Sequence, residues 1–159
     1  MSGRLAGVLV AVVGLAAAAW YFWPGEKAAI DRRLAALSRD IDQQEAVGGL
    51  AAARIASHFT EDVVIDLGQG SVPVEGRDTL VGMLMRLEPR IARYRVRFED
   101  ATVRLRDAST AEVTLTAEIV PRGSAPRDAE MDAREFEVMF RKVDADWLVA
   151  RVRAVETIR

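Results

Sequence analysis

The sequence predicts an α+β fold: N-terminal helices packed on one face of a curved, mainly antiparallel sheet, preceded by one transmembrane helix. Three observations predict it. Residues 5–23 form an unbroken, uncharged apolar run, LAGVLVAVVGLAAAAWYFW. Between Lys27 and Leu87 apolar residues recur mostly at helical spacing. From Tyr94 to Ala154 the period changes to two, in four long segments separated by turn residues. Helices first and strands afterwards give an α+β domain with helices gathered on one face of a sheet.

The first run divides the chain into an anchor, residues 1–25, and a domain, residues 26–159. A spanning helix needs about 20 apolar residues to cross roughly 30 Å of hydrocarbon. A cleaved secretory signal competes with that reading, since Arg4 supplies a basic start and Ala16 to Ala19 supply small residues. Retention is favoured by length and by Trp20, Tyr21, Phe22 and Trp23, which form an interfacial belt before Pro24-Gly25. The expectation is a single-pass protein of a bacterial inner membrane, in contact with lipid through residues 5–23. A short N-terminus held in the cytoplasm places the domain on the periplasmic side.

Within the domain, Ile30, Leu34, Leu37 and Ile41 share one helical face. Gly48-Gly49 punctuates, and Leu50 to Phe59 reads as a second helix with Ala52, Ile55, Ala56 and Phe59 on one side. Val63 to Leu67 is β-branched and short, a strand. Gly68-Gln69-Gly70 is a turn. Asp78 or Thr79 is placed to cap a third helix bearing Leu80, Met83, Leu84 and Leu87, with Pro89 closing it. Tyr94, Val96 and Phe98 then share one parity, while Ala101, Val103 and Leu105 share the other. Side chains alternate strictly along a strand, so one extra residue is required, and a bulge is expected at Glu99-Asp100. Ala111 to Ile119, Phe136 to Phe140 and the series Leu148, Ala150, Val152 and Ala154 supply the remaining inward faces, with Asp144-Ala145-Asp146 as the last turn.

Composition narrows the function. All 24 acidic residues and every basic residue except Arg4 fall in the domain, which is therefore net acidic and gives no electrostatic reason to expect a nucleic-acid partner. Cysteine is absent, so disulfides, thiol nucleophiles and Cys-based metal sites are excluded. His58 is the sole histidine, so no His cluster exists for a metal, and no cofactor is expected. Gly68-Gln69-Gly70 lacks the Lys and the following helix of a phosphate loop.

The element order, together with His58-Phe59-Thr60-Glu61-Asp62-Val63-Val64, Val74-Glu75-Gly76-Arg77 and Phe140 to Ala150, resembles the nuclear transport factor 2-like superfamily, which includes the SnoaL-like polyketide cyclases and ketosteroid isomerase. The resemblance covers residues 27–158. It implies helices closing a conical sheet, a cavity between them where the enzymes of the group work, and frequent dimerisation through the sheet. Members span isomerases, cyclases, dehydratases, binding modules and assembly parts, so fold does not decide activity. Some are tethered by one N-terminal helix, as in type IV secretion and lipid-import systems.

Ketosteroid isomerase sets its carboxylates in an apolar pocket. Here the inward strand faces carry no carboxylate and no histidine, and Tyr94 is their one polar tip. The catalytic candidates are Asp66, on the first strand, and His58, a general base by type; each has a plainer reading, at a turn and at a helix end. Tyr94, Phe98, Leu115, Phe136 and Trp147 are the pocket candidates. Glu112, Thr114, Thr116, Glu118, Glu135, Glu137, Arg151 and Arg153 take the opposite parity, a mixed-charge outer face that pairs across strands or meets a partner. The expectation is a non-enzymatic, membrane-anchored interaction or assembly domain of the cell envelope, with a homodimer through the sheet face or an envelope-complex protein as partner. The alternatives are a binder of a small apolar ligand and an isomerase- or cyclase-type enzyme using Asp66 or His58.

Overall fold

Ile30, Leu34 and Leu37 are buried along one side of helix α1, which occupies residues 25–42. The computed structural model describes residues 25–43, 49–68, 70–123 and 132–155. The predicted span, residues 5–23, lies outside the described residues; among those that are described, no helix is long and apolar enough to cross a membrane. After α1 come α2 (Gly49–Ala56), β1 (Phe59–Asp66), β2 (Val74–Glu75), α3 (Arg77–Ile91), β3 (Tyr94–Leu105), β4 (Thr110–Pro121), β5 (Asp132–Val143) and β6 (Asp146–Ala154). The strands form one 6-stranded sheet in the order β2-β1-β6-β5-β4-β3. β1 and β6 run parallel and every other neighbouring pair antiparallel. The α+β expectation holds, with helices packed on a mixed, mostly antiparallel sheet.

The expected bulge is present. The register of β3 on β4 shifts between Glu99 and Thr102, and Asp100 takes a positive φ of 52°. Phe98 therefore faces Ala117 on the helix side, and Val103 faces Val113 on that same side. Three sequence readings need correction. Phe59 begins β1 and does not end α2: the helix stops where His58 N–H bonds back to the Ile55 carbonyl, and Phe59 then pairs with Val149. Helix α3 is capped by Gly76, whose carbonyl accepts the Leu80 N–H, and it continues through Pro89 to Ile91, because a proline in the last turn forfeits one bond. In β6 the buried residues are Trp147 and Val149, not Leu148 and Ala150. A register shift opposite Met139 and Phe140 inserts Ala150 and returns Val152 to the inner face.

Both ends of α1 are fastened by polar contacts. At its start, Glu26 accepts hydrogen bonds from Lys142 Nζ at 2.6 Å and Trp147 Nε1 at 2.5 Å, and Lys142 lies 5.7 Å above the Trp147 ring. Arg33 reaches Asp146 in the β5–β6 turn. At its far end, Ser38 Oγ donates to the Val96 carbonyl at 3.0 Å, and Asp42 accepts the Val96 N–H at 3.3 Å.

Two predictions follow from these contacts. Lys142 first, and then the Trp147 N–H, hold the Glu26 carboxyl below its usual range, against an opposing effect of burial. A lowered folded-state pKa stabilises above the unfolded value and is lost as pH falls through the folded one. The stability gap between the wild type and Glu26→Gln, measured by urea unfolding, is therefore expected to be full at pH 6 and to close toward pH 3. In the β5–β6 turn, Asp144 and Ala145 both have positive φ, 49° and 73°, a conformation that costs an alanine but not a glycine. Ala145→Gly should raise stability by about 0.5–1 kcal/mol; a loss on thermal unfolding would show that the turn is not strained.

Candidate functional site

Because the bulges keep the apolar residues of β3 and β6 on one face, the sheet and α1 enclose an apolar cavity of about 220 Å³. Leu34, Leu37 and Ile41 line it from α1, and Phe59, Ile65 and Leu67 from β1. The wall across the sheet comes from Phe98, Leu115, Ala117, Phe136, Val138, Val149 and Val152. Every one of these side chains is aliphatic or aromatic. The deep part is sealed by buried residues, among them Leu34, Leu115 and Val149. The mouth is the part-exposed end, where Ile41, Phe98, Phe136 and Val152 meet Leu67, which is 43% exposed. That end lies opposite the β5–β6 turn, where α1 begins.

The structure divides the sequence candidates. Phe98, Leu115 and Phe136 come together in the cavity wall. Tyr94 does not join them: four residues before Phe98, it stands about 13 Å further along the strand, and it is 40% exposed. Trp147 is buried at the opposite, closed end, bonded to Glu26. Asp66 has the parity of Val64, away from the cavity-lining Ile65, and its carboxylate accepts the Gly68 N–H at 2.9 Å. It closes a turn beside Arg153, its partner in the register of β1 on β6.

His58 is buried, but it too is absent from the cavity wall. Its Nε2 lies 2.7 Å from Asp40 Oδ2, and Asp40 also pairs with Arg54 at 3.2 Å. Its Nδ1 is sealed within the protein and has no hydrogen-bond partner. Sequence reasoning missed Asp40, because a pairing between α1 and the end of α2 leaves no periodic trace. The three residues join α1, α2 and β1, and a ring nitrogen enclosed by protein cannot reach a molecule in the cavity. Asp62 points outward and pairs with Arg141, whose guanidinium holds the Asp62 carboxyl down at about 2.

On the outer face of the sheet, Arg104, Glu112, Met139 and Arg151 form one cross-strand row, and Thr102, Thr114, Glu137 and Arg153 the next. Glu137 pairs with Arg153, and Glu112 with Arg106 just beyond the end of β3. Much of the expected mixed-charge face is thus satisfied within the chain. Among the described residues, no group of three or more His, Asp or Glu is placed to hold a metal ion.

A conical sheet closed by helices over an apolar cavity is the architecture of one large group of proteins, and residues 26–153 match the model of the SnoaL-like domain. The chain belongs to the SnoaL-like family, a family of ligand binders and isomerase-like enzymes. Among solved structures, it is similar to a nuclear-transport-factor-2-like protein with a cystatin-like fold from Novosphingobium aromaticivorans, at 16% identity and a TM-score of 0.70, covering 86% of this chain and 85% of that one. It is similar also to a proposed scytalone dehydratase from the same organism, at 18% identity and a TM-score of 0.65, covering 84% and 85%. A nuclear-transport-factor-2-like protein of unknown function from Shewanella oneidensis matches at 10% identity and a TM-score of 0.67, covering 82% and 99%. At such identities these likenesses establish the fold alone. No curated protein matches the chain.

The His58–Asp40 contact makes a stability prediction. Asp40→Ala leaves a buried imidazole nitrogen unsatisfied and should cost about 1–3 kcal/mol. His58→Ala should cost a similar amount, and the double variant less than the two together, since both remove the same contact. Additive losses in urea unfolding would show that the two side chains act independently.

Proposed function

We propose that this domain is a non-catalytic binder of a small apolar molecule, held at a membrane by residues 5–23 with the domain on the periplasmic side. The observation that carries the reading is the cavity wall, which among the described residues contains no polar side chain, while His58 and Asp66 both lie outside it. An acid–base enzyme needs an ionisable group within hydrogen-bond reach of the bound molecule, and this wall offers none. An apolar cavity of about 150 Å³ already suffices to take up a benzene-sized molecule. The cavity here is larger, at about 220 Å³, and suits a single ring or a short chain.

Titration calorimetry with octan-1-ol tests the reading. Saturable one-to-one binding is expected for the wild type. Ala117→Leu, which pushes a larger side chain into the wall, should weaken it at least about tenfold, or roughly 1.4 kcal/mol. Absence of octanol binding, or binding that Ala117→Leu leaves unchanged, would sink the proposal.

A second reading, a docking domain for an envelope protein or for another copy of itself, is favoured by one observation. Arg104 and Arg151 line a groove on the outer sheet face, and neither has an ion-pair partner among the described residues. Light scattering of the detergent-extracted protein distinguishes the two. A stable dimer or hetero-complex that Arg104→Glu with Arg151→Glu disrupts would favour docking; a monomer that binds octanol would favour the cavity.

A further inference from the structure

The apolar face of the sheet does not end where the cavity does. Phe98 and Ala117, opposite each other on β3 and β4, line the cavity. The next pair on that face is Val96 and Ile119, and the one after it Tyr94 and Pro121, with no register shift in this stretch. Residues two apart along a strand share a face, and so do residues directly opposite in an antiparallel pair. The three pairs therefore make one strip, about 13 Å long, that continues the cavity wall past the mouth at Phe98. The strip is open: Ile119 is 37% exposed and Tyr94 40%, whereas Leu115 and Ala117 on the same face are buried. Charge borders it on both sides. Beyond β4, the register sets Arg134 and Asp132 in the rows of Ala117 and Ile119. At the edge of β3, Asp42 accepts the Val96 N–H and Arg122 donates to the Tyr94 carbonyl. Between those borders no side chain of the strip is charged, and the Tyr94 hydroxyl is its one polar group. Single exposed apolar residues are ordinary on a protein surface; these are in register with a cavity wall.

We propose that the ligand is an elongated apolar molecule, longer than the cavity, with one end inside and the rest laid along Val96 and Tyr94 of β3 and Ile119 of β4. The inference rests on the cavity reading above and adds the ligand's length to it. The cavity measures about 220 Å³. Since about 150 Å³ takes up benzene, this volume takes roughly nine heavy atoms. Any further length of the molecule leaves through the mouth and meets the strip. The strip covers one side of such a chain only. Full burial of a methylene is worth about fourfold in affinity, and burial of one side about twofold.

The test compares octan-1-ol, whose size matches the cavity, with dodecan-1-ol, which is four methylenes longer. Calorimetry is run on the wild type and on a double variant, Tyr94→Ser with Ile119→Thr. Circular dichroism checks folding, and light scattering the oligomeric state. Dodecanol is expected to bind the wild type roughly tenfold more tightly than octanol, the gain from four methylenes covered on one side. In the double variant that advantage should fall to about threefold or less, while octanol binding stays the same. Equal binding of the two probes by the wild type, or an advantage that the double variant leaves intact, would overturn the role of the strip and leave the cavity reading standing. A wild-type dimer that the double variant dissolves would assign the strip to a second copy of the chain and overturn it as well. Binding of neither probe would overturn both readings.

Discussion

Strict alternation of side chains along a strand is the constraint on which this molecule turns. A long strand that keeps one face apolar can bend sharply only where the alternation is broken. The chain breaks it in two long strands. At Asp100 a positive φ inserts one residue into β3, and in β6 Ala150 is the inserted residue. Without the first, Val103 and Leu105 would face solvent; without the second, Val152 would. Each insertion preserves the apolar face, and each adds local twist and bend. The curvature that leaves room under α1 and the unbroken apolar wall of that room share this origin.

A curved sheet with a space beneath it still needs a cover that does not collapse into it. Helix α1 is fixed at its two ends. Glu26 with Lys142 and Trp147 holds the start, Ser38 and Asp42 with Val96 hold the finish, and at that same end Asp40 with Arg54 and His58 ties α1 to α2 and the residues that follow it. These contacts are polar and directional, whereas Leu34, Leu37 and Ile41 supply apolar burial toward the cavity. Burial alone is non-directional and would favour filling the space. The polar contacts set the height of the cover, which is why the sole histidine of the chain belongs to the frame and stays out of the site.

Much of this was legible in the sequence, and the parts that were not share a cause. The parity change between Phe98 and Ala101 announced the bulge in β3, because that strand is apolar on one parity only. β6 is apolar on both: Trp147 and Val149 compete with Leu148 and Ala150, so periodicity could not choose between them. Phe59 fits a helix face as well as a strand and was settled by its pairing with Val149. Phe98, Leu115 and Phe136 stand in the cavity wall because inward parity puts them there. Trp147 lies at the closed end, since parity says nothing of position along the sheet, and Tyr94 stands further out, since a strand extends beyond the space it borders. Asp40 could be found only by folding the chain.

The mouth and the first turn of α1 lie at opposite ends of the domain, and α1 separates them by about 27 Å over residues 25–42. The polypeptide enters at the closed end. The Glu26–Trp147 corner stands at that end, and the mouth on the distant side. A molecule that enters or leaves through the mouth therefore passes the finish of α1 and not its start.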